Sequence, residues 1–81
     1  MSHVWKEGER VVVSSNALPP HQNPYKDKPR DLLGYIHSIE FRYLGNPGNR
    51  YIVKLDNAIK YYDGFLEAID LYTAQHLRKR Y

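Results

Sequence analysis

Four of the five prolines, Pro19, Pro20, Pro24 and Pro29, fall within one stretch of an 81-residue chain. Proline has no N–H to give a strand ladder, and it pushes the residue before it out of the helical region. Residues 15–31 can therefore hold neither strand nor helix, and they form a long loop. Loops longer than about 12–15 residues in compact domains carry function or are disordered. This one carries Tyr25, Lys26, Lys28 and Arg30. The segments that remain on either side are short, and a domain of this size buries only about 60–65% of the surface its unfolded chain exposes. Small barrels and bundles are the compact solutions open to it.

The flanking segments have strand character. Arg10–Ser14 (RVVVS) is β-branched and bounded by Gly8 and by Ser15-Asn16. Leu32–Leu44 is the longest such run, with Ile39, Phe41 and Tyr43 alternating against Ser38, Glu40 and Arg42. Ile36 is out of phase with that set, so a bulge near His37-Ser38 is expected. Arg50–Leu55 and Ile59–Tyr62 read as two strands of a hairpin joined at Asp56-Asn57-Ala58, and Asp63-Gly64 is the strongest turn signal of the chain. The segment from Phe65 onward has two readings. One is a helix capped by Asp63. The other, preferred because the earlier strands need closing, is a kink at Leu66, a fifth strand at Ile69–Leu71 and a short C-terminal helix capped by Thr73.

Five short antiparallel strands with one sharp bend describe an all-β barrel in a single domain, residues 1–81. The barrel spans about 6–72, and residues 73–81 follow it as a basic tail. The expected inward set is Val11, Val13, Ile36, Ile39, Phe41, Val53, Leu55, Ile59 and Leu71. Parity then turns Val12, Ile52, Lys54, Lys60 and Tyr62 outward, where a contiguous apolar group edged by cations suggests an interface.

Charge adds one distinction. The net charge is +3, with twelve Lys+Arg against nine Asp+Glu. Arg78, Lys79 and Arg80 account for that whole excess, so no basic face is required of the barrel itself. The sequence has no Gly-rich phosphate loop and no nucleophile elbow. Its histidines, His3, His21, His37 and His76, lack metal-ligand spacing. Glu67 and Asp70 read as a solvated pair. No catalytic residue, metal site or cofactor is expected. Without cysteine there is no disulfide framework. No apolar run reaches the roughly 20 residues that span a bilayer, and the N-terminus lacks the order of a signal peptide. A cytoplasmic location is the expectation.

The pattern Gly8-Glu9-Arg10-Val11-Val12-Val13, then a Pro-rich loop, then Gly34-Tyr35-Ile36 and Tyr51-Ile52-Val53, resembles the SH3-like small barrels over residues 6–72. Within that group the opening, with His21, Pro24 and Tyr25, is similar to the barrel of the nitrile hydratase beta subunit. Ile59-Lys60-Tyr61-Tyr62 followed by Leu66-Glu67-Ala68-Ile69 resembles the type II plasmid dihydrofolate reductases. There a Val-Gln-Ile-Tyr strand from each copy lines one shared pore. Here Lys60 replaces the essential Gln and Tyr61 the Ile.

These readings converge on a small non-enzymatic SH3-like binding module. Its partner is a protein or a second copy of the chain, met through the outer strand face (Val12, Ile52, Lys54, Lys60, Tyr62) or through the Pro-rich loop with Tyr25. Two alternatives stay open. One is a nucleic-acid binder of the KOW or Tudor-like kind using Arg78, Lys79 and Arg80. The other is a homo-oligomeric enzyme whose shared pore uses Lys60 and Tyr62. Neither a membrane nor a metal is an expected partner.

Overall fold

The computed structural model describes residues 4–19, 23–41, 49–61 and 64–80, with the backbone but not the side chain of Phe41. Five strands form one antiparallel sheet: β1 (Arg10–Ser14), β2 (Asp31–Phe41), β3 (Asn49–Tyr61), β4 (Gly64–Leu71) and β5 (Leu77–Lys79). Their order is β4-β3-β2-β1-β5. The sheet is not closed, so β4 and β5 are its edges. The architecture is all-β and roughly consistent with the expected SH3-like barrel.

β1 has the expected bounds, and the expected bulge is present. Ile36 pairs with Val53 and Ser38 with Ile52, which leaves His37 as an extra residue on β2. The extra residue resets the side-chain parity. Ile36, fully buried, and Ile39, half-buried, thus both reach the core although they are three apart. Before β1, Gly8 takes φ 86°, a conformation easy only for glycine. Its N–H donates to the Ile36 carbonyl at 2.6 Å, and the Ile36 N–H donates to the Glu9 carbonyl at 2.9 Å.

The loop expected over residues 15–31 is trimmed at both ends, by a 3-10 turn at Ser15–Ala17 and by Asp31, which opens β2, and two further boundaries differ from the sequence reading. Asp56-Asn57-Ala58 does not reverse the chain: β3 runs through it to Tyr61, which pairs with Gly64. Between the pairs Lys54–Ala68 and Ile59–Leu66 the register shifts, so the three polar-rich residues make an irregularity within β3 rather than a hairpin. That shift also answers the helix-like spacing of Leu66 and Ile69. Both sides belong to a strand, and both residues reach the core because the pairing slips between them.

The second difference lies at the C-terminal end. The expected strand Ile69–Leu71 is the end of β4, and the expected terminal helix is replaced by β5, which pairs Leu77 with Val13 and Lys79 with Val11. The Thr73 hydroxyl accepts from the Gln75 N–H at 3.3 Å, and the Leu77 N–H donates to the Ala74 carbonyl at 3.0 Å. The hydroxyl thus closes a local turn instead of capping a helix. Arg78 and Lys79 are strand residues and not part of a free tail.

The core comprises Val11, Val13, Ile36, Val53, Leu55 and Leu71 from the expected set, joined by Leu18, Leu32, Tyr51, Ile69 and Leu77. Ile59 is half-buried against it. Gly34 sits where β1, β2 and β3 meet, paired with Val11 and Leu55. A Cβ at Gly34 would lie within 2.4 Å of the Lys54 carbonyl oxygen, so only glycine permits this approach.

Leu55→Ala should cost about 2–5 kcal/mol in urea melts, whereas Lys54→Ala, one position away on the opposite face, should cost less than about 0.5 kcal/mol. Gly34→Ala adds a single methyl group and should cost about 1–3 kcal/mol, because backbone rather than a flexible side chain must move. Equal, small losses at Leu55 and Lys54 would contradict the strand facing.

Candidate functional site

The long loop is anchored at its base. Ser15 is fully buried. Its N–H donates to the Arg30 carbonyl at 2.9 Å, and its hydroxyl accepts from the Arg30 N–H at 2.9 Å. The Asn23 amide donates to the Ser15 carbonyl at 2.9 Å, while the Asn23 side-chain oxygen accepts from the Tyr25 N–H at 2.9 Å. Polar groups therefore close both ends of a segment whose prolines cannot join a ladder. A 3-10 turn over Ser15–Ala17 then drops Leu18 into the core. Tyr25 packs half-buried against the core, with the Arg30 guanidinium over its ring at 5.1 Å from the centroid. Its ring is engaged inside the fold.

Where the loop leaves β1 it faces β4 across an open groove of about 510 Å³. Leu18 and Pro19 form one wall, Leu66 and Ile69 the other, with Tyr61 and Tyr72 beside the two ends of β4. Tyr72 is 52% exposed. The groove exists because β4 is an edge strand and the sheet does not close there. Among the described residues, no backbone hydrogen bond reaches β4 from anything but β3.

The opposite, solvent-facing side of the sheet holds most of the outward set expected from parity. Val12 and Ile52 are half-buried there and Lys54 is exposed. Val12 stands beside Leu33 and Arg78, and Lys54 beside Tyr35. Lys60 is exposed but lies beyond the register shift, opposite Phe65, and does not join this group. Tyr62 lies outside the described residues. The sequence reading missed Leu33 and Tyr35 as members of this face, although the same parity count along β2 finds them.

Cations on this side are mostly matched. Arg50 donates to Glu40 at 2.9 Å and to Asp70 at 2.6 Å, tying β2, β3 and β4 together. The Asp70 hydrogen bond first, and then that of Glu40, holds the guanidinium pKa above its ordinary value. Arg78 pairs with Asp31 at 2.5 Å and Arg80 with Asp56 at 2.6 Å. Two of the three cations that carried the nucleic-acid alternative are thus neutralised within the fold. Asp70, read from the sequence as one of a solvated pair with Glu67, instead forms an ion pair with Arg50. Among the described residues, no group of three His, Cys, Asp or Glu side chains is placed to hold a metal ion. Among the described residues, no helix is long and apolar enough to cross a membrane.

Compared with protein-family models, curated proteins and solved structures, the chain gives no match to any.

Removing the Ser15 hydroxyl tests the anchoring of the loop. Ser15→Ala leaves the Arg30 N–H without its acceptor and should cost about 1–3 kcal/mol. Hydrogen exchange should show the Arg30 amide losing protection before the amides of β2 and β3. A variant as stable as the parent, with Arg30 still protected, would contradict the anchoring.

Proposed function

We propose that this protein is a small non-enzymatic binding module that holds an extended segment of a partner protein in the groove between the start of the Pro-rich loop and β4. The observation that carries this reading is the conjunction of an apolar groove with a sheet edge whose outward backbone groups have no partner among the described residues. An exposed edge is a template for another strand. Strand addition supplies affinity through main-chain hydrogen bonds, and pockets for alternate side chains supply specificity. Here the inward side chains of the added segment meet Leu18, Pro19, Leu66 and Ile69, and tyrosines stand at both ends.

The two edges differ in a way that supports β4 as the docking edge. β5 has three residues, two of them cationic, and charge on a short edge discourages pairing. β4 has eight residues without a proline.

Peptides of about ten residues selected from a displayed random library serve as probes. In NMR titrations they should shift Leu18 and the β4 amides, and slow exchange at the outward amides of β4. Tyr72→Ala should weaken the selected peptides about tenfold. A library that enriches nothing, or peptides that perturb residues away from β4, would overturn the reading, as would sedimentation showing that the chain already pairs with itself through this edge.

A further inference from the structure

The side of the sheet away from the groove carries an uncompensated charge arrangement. Arg10, Tyr35 and Lys54 are in register on β1, β2 and β3. Adjacent strands lie about 4.8 Å apart, so the two cations stand on either side of Tyr35, about 10 Å from each other across the strands. Val12, Leu33 and Ile52 are on the same side, and Leu33 is 45% exposed. Each carboxylate found on this side is taken: Asp31 by Arg78, Asp56 by Arg80, and both Glu40 and Asp70 by Arg50. Arg10 and Lys54 have no ion pair among the described residues.

From this we infer that the outer face is a second docking surface, which takes a protein segment carrying carboxylates on both sides of an apolar side chain. The apolar side chain rests on Tyr35, Leu33 and Val12, and the carboxylates meet Arg10 and Lys54. Charge complementarity fixes the sign of the partner, since the carboxylates of the face are spent internally while its two central cations are not. The aliphatic surroundings favour a peptide over single-stranded nucleic acid. Strand-face readers of nucleic acid stack bases on several aromatic rings, and Tyr35 is here accompanied by Val12, Leu33 and Ile52. Neither Arg10 nor Lys54 lines the β4 groove, although Asp70 borders both surfaces.

Three probes decide the matter: a ten-residue peptide with Leu flanked by Glu on both sides, the same peptide with Gln for Glu, and a ten-nucleotide thymidine strand. Titrated into isotope-labelled protein, the Glu peptide should shift Val12, Tyr35 and Ile52 and leave Leu18 and Leu66 unmoved. The Gln peptide should bind about tenfold more weakly, and so should the Glu peptide to the double variant Arg10→Glu, Lys54→Glu. Both positions are exposed, and the amide spectrum of the variant confirms that it is folded. The variant should keep full affinity for peptides selected on the β4 groove, which separates failure of this proposal from failure of the groove. Equal binding of the Gln peptide, no binding of the Glu peptide, or tighter binding of the thymidine strand would each overturn it.

Discussion

Two slips in strand register shape this molecule. A flat five-stranded sheet of this length would leave both faces wet, and neither face carries enough apolar surface to drive folding against chain entropy. The extra residue at His37 bends β2, and the shift between Lys54 and Ile59 bends β3 against β4. Together they curl the sheet around Val11, Val13, Ile36 and Val53, which are fully buried. Gly34 makes that curl possible by letting β2 approach the Lys54 carbonyl more closely than any Cβ would allow. The core, the groove and the outer face all follow from this curvature.

The same curvature leaves the sheet open. β1 pairs with β5 on one side and β2 on the other, but among the described residues β4 has a neighbour only in β3. Closing the sheet would satisfy the β4 edge and fill the groove. The Pro-rich loop instead approaches that gap, held there by Ser15 and Asn23 and pinned by Leu18. A loop whose base is hydrogen-bonded and whose prolines restrict the chain is preorganised, so a ligand entering beside it loses less entropy on binding. The functional proposal therefore rests on an unfinished piece of architecture next to a stiff one.

Much of this was legible in the residues, and what was not has identifiable causes. Period-two alternation placed β1, the core side of β2 and the first half of β3, because each strand buries one face. The out-of-phase Ile36 located the bulge. Asp56-Asn57-Ala58 was misread as a turn because its composition suits one, and nothing local reveals that Tyr61 continues the strand to pair with Gly64. Leu77 was assigned to a helix or tail because a three-residue strand is too short for a periodic signal and its pairing with Val13 is distant in sequence. The ion pairs of Arg78 and Arg80 were equally invisible, and they turn an apparent basic tail into a largely neutral one. On the outer face, Val12, Ile52 and Lys54 came from parity, while Lys60 was separated from them by the register shift. The groove could not be read at all, since it depends on which edge remains unpaired.

Hydrogen exchange of the ligand-free protein, resolved residue by residue along β4, tests the account most directly. The open sheet predicts an alternating pattern from Gly64 to Leu71: amides that point to β3 exchange slowly, and those that point outward exchange at rates near those of unstructured chain. Along β3, bonded on both sides between Tyr51 and Lys54, protection should be uniform. Slow exchange at every amide of β4 would mean that its edge is already occupied, and it would contradict both the open sheet and the groove as a place for an incoming strand.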